Sequence, residues 1–304
     1  KKCIVLLSTY NGASYLKEQL DSILSQENIS VRIIVRDDGS SDNTLDILHD
    51  YRKNFPDNFE IIQGENIGWQ KSFFYLITYA SANYHEASYF SFADQDDIWL
   101  PEKLAAGVSS LEQYESIPAL YCSNLFYYKD GVNSGPTIKR KPIITYKSAL
   151  CRNYATGCTV VFNRSLLEIV SRAIPEMNVA HDLWCYSIAV LCGKVVFDST
   201  PHILYRQHSS NQIGNKRSIL DIWKRRFSHF FHPDFINLRL RLARELIEKT
   251  GRYMNPEALE ATRKIAEYKD SMRGRLSLFF DNGYTFGNPV NDLFIKGRIL
   301  TGKL

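Results

Sequence analysis

Three carboxylates stand within four residues at Asp94-Gln95-Asp96-Asp97. Packed this closely they repel one another, a cost that a hard divalent cation offsets through oxygen ligation. The run follows the apolar stretch Tyr89-Phe90-Ser91-Phe92. Strand alternation would then point Asp94 and Asp96 to one side. Ile98-Trp99-Leu100-Pro101 turns the chain into a helix, and the plainer reading is a solvated acidic turn capping that helix. A second acidic turn, Asp37-Asp38-Gly39-Ser40-Ser41-Asp42, follows another apolar run. Ser41 or Asp42 suits the N-cap of the next helix, which leaves Asp37 and Asp38 unexplained. A carboxylate there can accept a hydrogen bond from the N–H of a pyrimidine base. Ser8-Thr9-Tyr10-Asn11 adds hydroxyls and an aromatic face suited to base and ribose.

The elements that must position these groups alternate. Residues 3–7 form a short continuous apolar run, the pattern of a strand buried on both faces. Leu16, Leu20, Ile23 and Leu24 then recur at helical spacing over 14–26. Strands over 31–35, 59–63 and 89–92 alternate with helices over 44–51 and 70–80. This order predicts an α/β fold with a mostly parallel sheet flanked by helices. Ligands of such sheets bind beyond the carboxyl ends of the strands, and all three polar segments lie there. A loop is expected over 127–142, a strand–helix block over 157–173, a helix over 181–191 and two strands near Val195 and Ile203. From about residue 215 the periodicity is helical. The expected division is therefore 1–214, with halves 1–123 and 124–214, and a helical region 215–304.

The ordered set of segments resembles the inverting glycosyltransferases of family 2, which have the GT-A (Rossmann-like) fold. The resemblance runs over about residues 3–210. It rests on Ser8-Thr9-Tyr10-Asn11-Gly12, Val35-Arg36-Asp37-Asp38-Gly39-Ser40-Ser41-Asp42, Asn66-Ile67-Gly68 and Asp94-Gln95-Asp96-Asp97-Ile98-Trp99-Leu100-Pro101. Downstream, residues 155–163, Ala180-His181-Asp182-Leu183-Trp184 and Tyr205-Arg206-Gln207-His208-Ser209-Ser210-Asn211 resemble the rhamnosyltransferase-like subgroup. The resemblance implies Asp182 as catalytic base, Asp96 as ligand of Mg²⁺ or Mn²⁺, and Asp94 on the ribose or the metal. His208 would be a further metal or diphosphate ligand. Asp38 and Tyr10 would hold the base, with Ser8, Asn11 and Gln95 beside the nucleotide. Lys71 and Arg206 would face the diphosphate, or serve as ordinary surface charges. Gly157, His181 and Trp184 would lie on the acceptor side, with Trp184 able to stack on sugar and Trp99 more at home in the core. The implied donor is dTDP-β-L-rhamnose and the acceptor a lipid-linked bacterial surface glycan. The rivals are a UDP-hexose donor on the same scaffold, a nucleotidyltransferase, and a non-catalytic nucleotide-sugar-binding module. A nucleotidyltransferase would want a Gly-rich, Lys/Arg-bearing phosphate loop, which residues 8–14 lack.

Composition narrows the remaining classes. Among 304 residues, 44% are hydrophobic and 23% charged, which excludes a disordered or fibrous chain. A net charge of +4 is too mild to imply nucleic acid. The six cysteines are scattered with no Cys-x-x-Cys pair, as in small buried thiols of a reducing compartment. No apolar run approaches the roughly 18 residues of a membrane span, so a soluble, cytoplasmic protein is expected. Residues 215–245 carry eight Lys/Arg against three Asp/Glu, interleaved with Trp223, Phe227, Phe230 and Phe231. Such a stretch suits either a helix lying at the inner face of the plasma membrane or one that packs its apolar side on the protein.

Overall fold

A computed structural model describes residues 1–129, 131–208 and 236–304. The described chain forms two compact units. The first comprises residues 1–142, 154–189 and 193–208, and the second 143–153, 190–192 and 209–304. Residues 143–153 and 190–192 thus group with the C-terminal helices, although in sequence they precede residue 215.

The first unit is built on a nine-stranded sheet in the order β3-β2-β1-β4-β8-β6-β9-β5, with β7 paired to β6. Its first half is β1 (Lys2–Thr9), β2 (Ser30–Asp37), β3 (Phe59–Gln63) and β4 (Tyr89–Ala93), all parallel. Cys3 to Leu7 of β1 are fully buried, as their unbroken apolar run requires of a central strand. The intervening helices are α1 (Leu16–Leu24), α2 (Thr44–Asn54) and α3 (Trp69–Asn83). Leu16, Leu20 and Ile23 of α1 are completely buried, and each such side chain contributes about 1.5–3 kcal/mol.

The second half reverses direction. β8 (Val161–Asn163) runs antiparallel to both β4 and β6 (Ala119–Lys129), whereas β9 (Lys194–Arg206) is parallel to β6. The short β5 (Ile98–Trp99) closes the edge against β9. α4 (Lys103–Leu111), α6 (Arg164–Arg172) and α7 (His181–Cys192) complete the layers. Two segments differ from expectation. The two strands expected near Val195 and Ile203 are one strand, kept in register by a bulge where Asn124 of β6 faces Pro201. Proline cannot donate to the ladder there. The Asn124 side chain instead fills the gap, donating to Ile138 and Ser199 and accepting from Leu125 and Ile138. The expected loop over 127–142 contains β7 (Val132–Pro136), a hairpin whose left-handed Gly131 and Gly135 permit the turn.

The second unit contains the short α5 (Tyr146–Ala149) and then α8 (Leu238–Thr250), α9 (Pro256–Glu267), α10 (Met272–Phe280) and α11 (Pro289–Thr301). Asn255 caps α9 by accepting from the Ala258 N–H, and Asn288 caps α11; each precedes a proline that fills the first turn. Asp281 binds Lys147 and Lys264. Burial alone would raise its carboxyl, but these hydrogen bonds and the Gly283 N–H hold it down at about 2. The expected basic stretch lies outside the described residues as far as residue 235. Its last part begins α8. No helix among the described residues is long and apolar enough to cross a membrane.

One close approach gives a test. Gly193 ends α7 with extended backbone, and a Cβ there would lie 1.9 Å from the Pro118 carbonyl oxygen. That carbonyl accepts from the Lys194 N–H at 2.9 Å and has little room to yield. Gly193→Ala should cost on the order of 1–3 kcal/mol and lower the thermal midpoint by several degrees; an unchanged midpoint would mean that the β6 edge shifts freely.

Candidate active site

The parallel strands β1, β2 and β4 end side by side, so the three polar segments predicted from sequence form one crevice. β4 stops at Ala93 and residues 94–97 form a bend. Their mutual placement therefore comes from that bend and not from strand alternation. Asp94 is pushed up to about 7, first by burial and then by the charges of Asp96 and Asp182. Asp97 is fully buried and pushed up well above the usual carboxylate range, again by burial first. One of its oxygens accepts from the Arg206 N–H at 3.1 Å, while the other, Oδ2, has no hydrogen-bond partner. Asp96 Oδ2 lies 2.7 Å from His208 Nε2, and the His208 ring stacks on Tyr15 at 5.0 Å. The base of the crevice thus gathers Asp94, Asp96, Asp182 and His208.

Asp182 is the second residue of α7, where the helix N-terminus favours a negative charge. Its Oδ1 accepts from the Leu183 N–H at 2.6 Å. Beside it, His181 is 3% exposed, stacked on Phe73 at 3.8 Å and met edge-on by Phe92 and Trp69. Burial pushes this imidazole down to about 3, so it is neutral. Neither ring nitrogen has a hydrogen-bond partner. A Cβ on Gly157 would come within 2.9 Å of His181 Nε2, so glycine is what admits the ring here.

Several residues expected to meet a ligand are occupied by the protein itself. The Gln95 amide clamps the Tyr10 backbone in both directions, at 2.8 and 3.1 Å. Asn11, in the left-handed region at φ 48°, accepts from the Ser41 N–H at 2.8 Å and donates its own N–H to Ser40. Asp38 is 2% exposed and accepts from Arg36 and from the N–H groups of Ile67 and Gly68. Expected to hold a base, it shapes the loop at the head of α3. Arg206 donates to the Asp96 carbonyl at 2.8 Å, pairs with Glu18 and lies over the Tyr15 and Tyr128 rings. It clasps the acidic bend. Trp184, expected on the acceptor side, is fully buried with Nε1 donating to the Ala173 carbonyl, so it cannot stack on a sugar. Trp99 is a core residue, as expected. Ser8 donates to Ser72 at 2.7 Å, Lys71 is exposed on the first turn of α3, and Tyr10 is 48% exposed. Ser209, Ser210 and Asn211 lie outside the described residues.

The residues that sequence reasoning passed over are the supports. Arg36 is a buried cation after the apolar run Ile33-Ile34-Val35 of β2, linked to Asp38, Ser72 and the Glu65 carbonyl. A charge inside a buried strand requires a buried partner, and that signal was readable. Lys103 is equally hidden: its Nζ donates to Ser91 at 2.7 Å and sits 3.4 Å from the Trp99 ring centroid. Burial pushes it down to about 7. Its place on the apolar stripe with Leu104, Gly107, Val108 and Leu111 gave it away. Cys158 groups with Asp94 and Asp97, with potential ligand atoms within 4.8 Å of one another. Burial first, and then the charges of Asp97 and Asp94, push its thiol well above the usual range.

Oxygen-rich carboxylates crowded at strand ends, a carboxylate at a helix start and an exposed tyrosine above them suit group transfer from a nucleotide. Comparisons with known proteins agree. The profile of the family described as glycosyl transferase family 2 matches residues 4–169. The dTDP-rhamnosyl transferase RfbG of Shigella flexneri is 31% identical over 229 residues, covering 72% of this chain and 77% of that protein. TarS of S. aureus, solved in complex with UDP, shares the fold with a TM-score of 0.59 at 17% identity, covering 96% of this chain and 77% of that one. Its complex with UDP-GlcNAc aligns at 0.58 and 18% identity, over 100% of this chain and 84% of that one. A profile covering more than half of the chain, a relative above 30% identity and a shared GT-A architecture leave one conclusion: the chain belongs to glycosyl transferase family 2 and is a glycosyltransferase.

Proposed function

We propose that the chain is a metal-dependent inverting transferase that moves L-rhamnose from dTDP-β-L-rhamnose onto a hydroxyl of a growing, lipid-linked bacterial cell-surface glycan. It would work in the cytoplasm at the inner face of the plasma membrane. The observation that carries the chemistry is Asp182 standing within electrostatic reach of Asp94, in the same crevice as the Asp96–His208 pair. The identity to a dTDP-rhamnosyl transferase supports the donor.

By their chemistry Asp94 and Asp96 would supply hard oxygens and His208 a nitrogen to a divalent cation, beside the Asp94, Asp97 and Cys158 group whose ligand atoms lie within 4.8 Å of one another. Burial first and then the charges of Asp96 and Asp182 raise Asp94, and such an ion would relieve the repulsive part. Mg²⁺ or Mn²⁺ bound by these residues would neutralise charge on the departing nucleoside diphosphate. The remaining work falls to the chain itself. Tyr10 offers an aromatic face to the base, held in place by Gln95. Asp38 and Arg36 fix the wall at Ile67 and Gly68, and Lys71 is exposed for the diphosphate. Asp182 accepts the proton of the acceptor hydroxyl as its oxygen bonds to the anomeric carbon and the bond from that carbon to the diphosphate oxygen breaks. A single displacement inverts the centre, so a β-L-rhamnosyl donor yields an α-L-rhamnoside. His181 borders this group as a neutral aromatic plate that helps to set the start of α7.

Four measurements test this reading. Asp182→Asn should cut transfer by about 10²–10⁴-fold while calorimetry finds nucleotide binding intact; transfer at the parent rate would remove Asp182 as base. Asp96→Ala should weaken donor binding in Mg²⁺ or Mn²⁺ yet leave the metal-free value unchanged, and equal affinities with and without metal in the parent protein would end the metal assignment. A panel of dTDP, UDP and GDP belongs in the same titration. Preference for dTDP supports the rhamnosyl donor, whereas preference for UDP transfers the mechanism to a UDP-hexose. Finally, Asp94 is raised to about 7, so protons compete with the cation below that pH. Metal-dependent affinity should therefore rise about tenfold per pH unit up to about pH 7 and level off above it; a flat profile across that range would contradict the assignment.

A further inference from the structure

Helices α10 and α11 of the second unit are amphipathic in an unusual sense. Of the apolar side chains on α10 only Leu278 is buried, and on α11 only Ile295 and Ile299 are. Met272, Leu276 and Phe280 are 67%, 44% and 71% exposed, and Leu293 and Leu300 are 69% and 49% exposed. The spacing of 272, 276 and 280 on α10, and of 293 and 300 on α11, places each set on one helical face. Phe280, Leu293 and Leu300 line a single groove of about 590 Å³ together with Phe279, Phe294 and Gly297. Lys296 closes one end, its ammonium donating to the Phe279 carbonyl and lying 5.3 Å from the Phe279 ring centroid. Contiguous apolar surface of this kind marks an interaction site.

The charges around it indicate what it meets. Residues 269–304 carry Lys269, Arg273, Arg275, Lys296, Arg298 and Lys303 against Asp270, Asp281 and Asp292. Two of those acids are spent inside the unit: Asp281 binds Lys147 and Lys264, and Asp292 accepts from the Thr285 hydroxyl and the Phe286 N–H. Lys269 and Arg273 are exposed and have no ion pair among the described residues. Apolar side chains flanked by outward cations, on helices too short to span a bilayer, match the chemistry of an anionic phospholipid surface.

We infer that α10 and α11 form a peripheral membrane-docking face, with Phe280, Leu293 and Leu300 entering the headgroup–acyl boundary and Lys269 and Arg273 on lipid phosphates. This deepens the lipid-linked acceptor reading by giving that encounter a place on the chain. Its test uses neither donor nor acceptor, so either idea can fail alone. The full chain is sedimented with vesicles of neutral phosphatidylcholine or of phosphatidylcholine carrying about one-third phosphatidylglycerol. Binding to the anionic vesicles at low salt, weakened by salt and by the neutral lipid, is the expected result. Phe280→Ser with Leu293→Ser should reduce it at least about tenfold, and Lys269→Glu with Arg273→Glu should abolish the preference for anionic lipid. Both pairs are exposed, and an unchanged thermal midpoint and far-ultraviolet circular dichroism would confirm that the variants fold. Failure of the parent chain to bind, or serine variants that bind equally well, would overturn the inference. So would a parent dimer that the serine pair converts to monomer, because the groove would then belong to a second copy of the chain.

Discussion

Bringing Asp94, Asp96, Asp97 and Asp182 to one end of a sheet is the constraint around which the first unit is organised. Each carboxylate raises the cost of ionising its neighbours, and burial adds to that cost, as the upward shifts of Asp94 and Asp97 record. A loop carrying such repulsion opens unless something ties its backbone down. Arg206 does so from β9, through its backbone N–H on Asp97 and its guanidinium on the Asp96 carbonyl. Gln95 does so by pairing with the Tyr10 backbone. The buried Lys103 amine lies within electrostatic reach of Asp97.

This explains why so many polar residues near the crevice face inward. Asp37 at the end of β2, and Asn11, Asp38 and Gln95 in the segments beyond the strand ends, supply acceptors to backbone N–H groups there. Asp37 alone accepts from Thr9 and from both the N–H and hydroxyl of Ser40. The loops around the crevice are thereby tied together by hydrogen bonds within the protein itself, and charges held in place at a reacting centre act with little reorganisation.

The second unit follows a different logic. Its helices are stopped and started by local signals, Asn-Pro at α9 and α11 and Ser271 at α10, and held by a small number of buried links such as Asp281 with its two lysines. Its last two helices keep large apolar side chains outside. In a soluble monomer that surface is a standing cost, which implies a use.

The sequence by itself determined the alternating elements, the strand ends and the acidic segments that lie there, because these are local: apolar runs of fixed length, turn residues at fixed offsets and three carboxylates within four residues. It also ordered those segments well enough to reveal the family resemblance. The tertiary structure decided which of the polar residues are free to act. Asp38, Gln95, Asn11 and Arg206 look like ligand contacts in sequence, and in the fold they also meet protein partners 29 to 110 positions away. Trp184 reads as a stacking surface until its indole N–H meets the Ala173 carbonyl. The pairing of Asp96 with His208, 112 residues apart, depends on β9 returning beside β5 at the sheet edge. Local patterning carries the elements, but a hydrogen bond between distant residues is set only when the sheet order brings its donor and acceptor together.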